Sequence, residues 1–92
     1  MSNEYDNIRP DIINTIRKYA DHGRPTGDFV KACLENNLSE ALARADDTNI
    51  LVLREIMMYI YWEVPSPCWG SKEQVADWLA LDWSAEREHW RD

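Results

Sequence analysis

The stretch from Ile50 to Val64 is apolar on most sides at helical spacing, and two prolines, Pro65 and Pro67, stop it. Ile50, Leu53, Met57, Ile60 and Val64 recur every three or four residues, while Leu51, Val52, Ile56 and Met58 widen the stripe. A helix that is apolar nearly all round has to be covered by other elements, so this segment predicts the central helix of a bundle, over about 48–63. The β-branched and aromatic run Tyr59-Ile60-Tyr61-Trp62 would also suit a strand. The 3.6-residue period and the flanking caps favour a helix.

The rest of the chain supplies shorter elements of the same kind. Pro10 suits a first helical turn, where its missing N–H costs nothing. Ile12, Ile13, Ile16, Tyr19 and Ala20 follow at helical spacing until Gly23, which predicts a helix over 10–22. Thr26 is placed to cap a second helix carrying Phe29, Val30, Cys33 and Leu34, ended by Asn36-Asn37. Ser39 is placed to cap a third, with Leu38, Leu42 and Ala45 facing inward. Asp46-Asp47-Thr48 breaks the chain and caps the central helix. Ser71-Lys72-Glu73-Gln74 is a capping box: the Ser71 hydroxyl bonds the backbone ahead and Gln74 reaches back. It predicts a last helix over 72–81 with Val75, Trp78 and Leu79 inward. The expected fold is all-α, a compact bundle of about five short helices, with a polar lead-in at 1–9, a helical domain at 10–81 and a charged tail at 82–92 that contains Trp83 and Trp90.

With 17 acidic and 10 basic residues the formal net charge is −7. Such a surface disfavours non-specific nucleic-acid binding and anionic membranes. It suits either plain solubility or a basic protein partner. No apolar run approaches the length needed to span a bilayer. Met1 to Pro10 carries no apolar h-region, so a cytosolic protein with reduced thiols is expected. Cys33, Cys68, His22 and His89 lack metal-ligand spacing, and no metal or other cofactor is expected. Cys68 follows a proline in a loop, but neither histidine is delivered to it as a base, so a structural role is favoured over a nucleophilic one. Asp46-Asp47 reads as caps rather than as an acid–base pair, and no glycine-rich phosphate loop occurs. No enzymatic activity is expected.

Five Trp and four Tyr against one Phe is an unusual aromatic set. Trp and Tyr favour half-buried positions at interfaces and pocket walls, so a homo-oligomer is possible on this composition. Tyr59, Trp62 and Glu63 share a face of the central helix, with Arg54 about one turn or more earlier. Trp69 and Ser71 follow the proline loop, and Ser71 opens a helix whose first N–H groups can hold an anion. Two readings stand side by side. In one, Tyr59, Trp62 and Trp69 stack on a nucleotide base, Arg44 or Arg54 neutralises phosphate, and Glu63 and Ser71 complete the rim. In the other, Tyr59 and Trp62 are core and Ser71 only caps.

The pieces Gly27-Asp28-Phe29, Leu34 to Ala41, Arg44-Ala45-Asp46, Asn49, Tyr59-Ile60-Tyr61, Glu63-Val64-Pro65, Cys68 to Ser71, Val75 and Trp78 resemble a family of small uncharacterised accessory proteins from tailed bacteriophages and prophages. The resemblance covers about residues 16 to 79 and leaves out the tail from Asp82. It carries no activity over to any single residue. It implies a setting, the host bacterial cytoplasm, where small phage proteins without catalytic motifs often counter host defence. Some sequester a nucleotide second messenger. Others inhibit a host complex directly, such as a CRISPR effector, which an acidic surface would suit. This is an analogy of setting.

Overall fold

The computed structural model describes residues 5–81, and the tail containing Trp83 and Trp90 lies outside them. The described residues form helices α1 (Pro10–His22), α2 (Asp28–Leu34), α3 (Leu38–Arg44), α4 (Asp47–Leu51), α5 (Leu53–Glu63) and α6 (Lys72–Ala80), with a 3-10 turn at Ser66–Cys68. There is no strand among them, so the all-α class holds. The fully buried Ile56 and Ile60 make α5 the centre of the core, together with Ile16, Tyr19, Leu34, Cys33, Cys68 and Val75. Residues 5–9 are more than a polar lead-in. Ile8 is buried, and Tyr5 stands edge-on to Tyr59 with ring centroids 5.0 Å apart.

The predicted central helix is split. Val52 leaves helical geometry at φ −120°, ψ 20°, and its N–H reaches back to Asn49 O at 3.2 Å. The break lets the adjacent side chains Val52 and Leu53 both enter the core. A continuous helix would point them about 100° apart. It also turns Ile50 and Leu51 out to solvent, although Ile50 belongs to the inward stripe by spacing.

Helix α2 ends in a Schellman motif, with Asn36 in the left-handed region at φ 58°. Asn36 N–H donates to Cys33 O at 3.1 Å and Asn37 N–H to Ala32 O at 2.9 Å. The reversal is so tight that Asn37 at once caps α3, its Oδ1 accepting from Glu40 N–H at 3.3 Å. Ser39, the residue expected to cap, therefore lies inside the helix. Helices α2 and α3 pack against each other with the small residues Ala32 and Ala41 buried, and Leu38 and Leu42 are left exposed rather than inward. Helix α2 likewise starts without a side-chain cap. Gly27 holds the N-cap position, and the Thr26 hydroxyl bonds Gly27 O instead.

Ser71 caps α6 as expected, its Oγ accepting from Gln74 N–H at 3.1 Å. Gln74 does not complete the box. Its Nε2 donates to Ser66 O at 3.3 Å, across Gly70. Gly70 adopts φ +120°, a backbone conformation that residues with a side chain rarely adopt, so glycine is favoured here; an added Cβ would also displace Gln74 Oε1, 2.8 Å away. Gly70 N–H also donates to Leu34 O at 2.7 Å, which ties the proline loop to the end of α2. Ser71→Ala is expected to cost about 1 kcal/mol, the usual effect of losing a side-chain N-cap, while Ser71→Asp keeps most of it. Urea unfolding midpoints of the two variants check this. Equal loss in both would mean that the hydroxyl is not acting as a cap.

Candidate functional site

The seven residues singled out by sequence do not form one site. Tyr59 is buried, and its hydroxyl accepts a hydrogen bond from Arg17 Nη1 at 3.2 Å. It belongs to the core, where it faces Tyr5. Arg44 is engaged by Glu40 at 3.3 Å and Asp28 at 3.2 Å, on the wall of a polar hollow shared with Lys31, Glu35 and Lys72. Glu63 is exposed at the end of α5 and acts on the charge of Arg17. Ser71 is occupied as a cap.

Arg54 and Trp69 do come together. They share the wall of an open hollow of about 280 Å³ with Asn36, Met57, Met58 and Tyr61. A second hollow of about 240 Å³, between Leu38, Ala41 and Cys33, shares Asn36 and Met57 with it. Neither lining contains a carboxylate, although the chain carries 17 of them. Tyr61 stands at the centre of an aromatic edge. Its ring meets Trp69 edge-on at 6.1 Å and Trp62 edge-on at 5.0 Å. Trp62 is 65% exposed, which is unusual for so large an apolar side chain. Arg54 is exposed and has no hydrogen-bond or ion-pair partner among the described residues.

Tyr61 is the residue that sequence reasoning missed. It lies seven residues after Arg54 and four after Met57, the spacing of one helical face. Its signal was present but was read one face over, on Tyr59. The chemistry available here is recognition by π-faces, adaptable thioethers and one guanidinium.

Both thiols are buried, although Cys33 lies behind the wall of the second hollow. Cys68 is fully buried and its Sγ donates to Pro65 O at 3.0 Å. Burial pushes the Cys68 thiol up to about 11 and the Cys33 thiol up to about 12. A thiol raised in the folded state contributes stability that is fully present below its ordinary value, about 8.5, and is lost as pH rises toward the folded value. Two results are expected: no native alkylation by iodoacetamide at neutral pH, and falling stability above about pH 9. Intact mass and pH-dependent melting measure them. Rapid native labelling of Cys68 would show that the loop opens readily.

Among the described residues no three His, Cys, Asp or Glu side chains gather as metal ligands. No helix among them is long and apolar enough to cross a membrane. The chain matches no protein-family model, no curated protein and no solved structure.

Proposed function

We propose that this chain is a non-catalytic capture protein that holds a nucleotide against the edge formed by Tyr61 and Trp69, with Arg54 on its phosphate. The observation that carries this reading is Arg54, without a hydrogen-bond or ion-pair partner among the described residues, beside two exposed or half-buried rings in a hollow whose described lining holds no carboxylate. An anion approaching a chain of net charge −7 is repelled at long range, so a local cation in an acid-free hollow is what an anionic aromatic ligand requires. Stacking tolerates many bases, and a guanidinium grips phosphate through two parallel N–H bonds. In the setting that the phage resemblance implies, the captured ligand is a second messenger of host immunity, and capture without turnover silences it.

Titration calorimetry against cyclic dinucleotides, cyclic trinucleotides and ADP-ribose derivatives tests the reading. Micromolar binding of one class, with the nucleotide recovered unchanged, is the expected outcome. No heat across the panel at micromolar concentrations removes it.

A second reading is favoured by one observation. Leu38 and Leu42 stand exposed one turn apart on α3, as anchors on a helix face do. On this reading the protein docks directly on a host defence complex and inhibits it. Leu42→Glu then abolishes counter-defence in an infection assay while nucleotide binding is untouched.

A further inference from the structure

The hollow between Leu38 and Ala41 adjoins the proposed site and differs from it in character. Its wall runs from Leu38, 59% exposed, down to Ala41, 1% exposed, so it reaches from the surface to the core. Asn36 and Asn37 bring the two amides to this wall, and both residues are exposed. Asn37 Oδ1 holds the cap of α3, which leaves its NH2 to donate. Asn36 has no side-chain hydrogen bond among the described residues. Ligand pockets have this make-up, mostly apolar with a few placed donors and acceptors. A nucleobase asks for the same, apolar contact on its faces and amide partners along its edge.

The sizes of the two hollows point the same way. Ligand pockets usually hold about 300–1,000 Å³. The hollow of Leu38 and Ala41, about 240 Å³, and the hollow of Tyr61 and Trp69, about 280 Å³, each fall short of that range, and the two joined lie within it. Asn36 and Met57 belong to both walls, so they form the divide between the hollows. The left-handed turn at Asn36 fixes one side of that divide. On the other side Met57 is a half-buried thioether, a side chain that reshapes readily around a ligand. Arg54 precedes Met57 by three residues on α5, so the two are neighbours on the helix surface. Its guanidinium therefore stands beside the divide that a linkage between two bases has to cross. Neither described wall carries a carboxylate, so a phosphate in that linkage meets no like charge on them.

We infer, on the nucleotide-binding function proposed above, that the captured ligand carries two bases joined through phosphate. One base stacks at Tyr61 and Trp69, the other enters the hollow between Leu38 and Ala41, and Arg54 holds the phosphate linkage between them. A ligand with one base fills one hollow and leaves the other to water.

Calorimetry on the full chain compares ligands of the two kinds: cyclic di-AMP, cyclic di-GMP and their linear forms against AMP and GMP. A two-base ligand is expected to bind about tenfold or more tighter than the mononucleotide of the same base, because its second contact is made within one complex. Methyl NMR locates the bases. The two-base ligand is expected to shift the Leu38 and Ala41 methyl signals through the ring current of the inserted base, along with those of Met57 and Met58. The mononucleotide is expected to shift the methionine signals and leave Ala41 in place. Leu38→Ala, checked for native helicity, is expected to lower the ratio of two-base to one-base affinity severalfold, whereas Trp69→Ala weakens both kinds of ligand. Equal affinities for the two kinds, an Ala41 methyl unmoved by the two-base ligand, or an unchanged ratio in Leu38→Ala overturns the inference and leaves the proposed function standing. No binding of any nucleotide removes the proposed function and the two-base ligand with it.

Discussion

Replacing Ile60 with alanine is expected to cost about 3 kcal/mol of stability, within the usual range for losing a fully buried branched side chain. Ile60 has no solvent exposure and sits in the last turns of α5, inside the one core cluster. The loss combines two effects: the transfer free energy of the missing methyl and methylene groups, and the cavity left behind. A domain of this size has about 5–15 kcal/mol in total, so the variant surrenders a large share. For domains of 60–100 residues each kcal/mol shifts the melting temperature by roughly 4–8 °C, which makes the expected drop roughly 12–24 °C. The comparison belongs at one fixed protein concentration, since association would itself raise the melting point by mass action. A loss below about 1 kcal/mol would mean that α5 is not the centre of the core, or that its neighbours collapse freely into the gap.

Trp69→Ala is expected to weaken nucleotide binding by roughly 5- to 150-fold, the equivalent of the 1–3 kcal/mol that base–aromatic stacking typically contributes. Trp69 walls the hollow and buttresses Tyr61, so its loss removes one ring and loosens another. Arg54→Glu is expected to remove binding altogether, because it places a like charge where the phosphate would lie. Arg44→Ala is the informative contrast. That guanidinium already serves Asp28 and Glu40, so its loss leaves the affinity unchanged. Calorimetry on the three variants, each checked for native helicity, separates the possibilities. If Arg44→Ala weakened binding as much as Arg54→Glu, the ligand would be in the polar hollow near Lys31 and Lys72 instead.

Local signals carried much of the architecture. Gly23 closes α1 in the left-handed region at φ 63°, and Ser71 opens α6, both where the sequence places them. Such caps act within a few residues and need no tertiary context. The same locality explains the errors. Asn37 displaced Ser39 as a cap because Asn36 reversed the chain at once, a backbone event that three candidate capping residues in four positions do not disclose. The split at Val52 has no glycine or proline to announce it. It is imposed by the gain from burying Val52 and Leu53 together.

The candidate site shows the same division more sharply. Arg54 was legible as a cation about one turn before the aromatic face of the central helix and Trp69 as a ring after the proline loop, and the structure joins them. Tyr59 and Tyr61 could not be told apart by composition, since two tyrosines two residues apart on a helix point about 160° away from each other. Choosing between them needs the phase of α5 relative to its neighbours, and the break at Val52 sets that phase. Leu38 and Leu42 make the point on α3. Their spacing says only that they share a side, and it was the packing of α3 on α2, with Ala32 and Ala41 buried, that turned that side to solvent.

By itself, then, the sequence determined the helical class, most of the helix ends and an acidic surface, because period, caps and charge are properties of short segments. Only the tertiary structure decided where the central helix breaks, which faces are left open, and that Tyr61 rather than Tyr59 stands beside Arg54. Those outcomes depend on how separate helices compete for one small core, and burial in that core is a property of the whole chain.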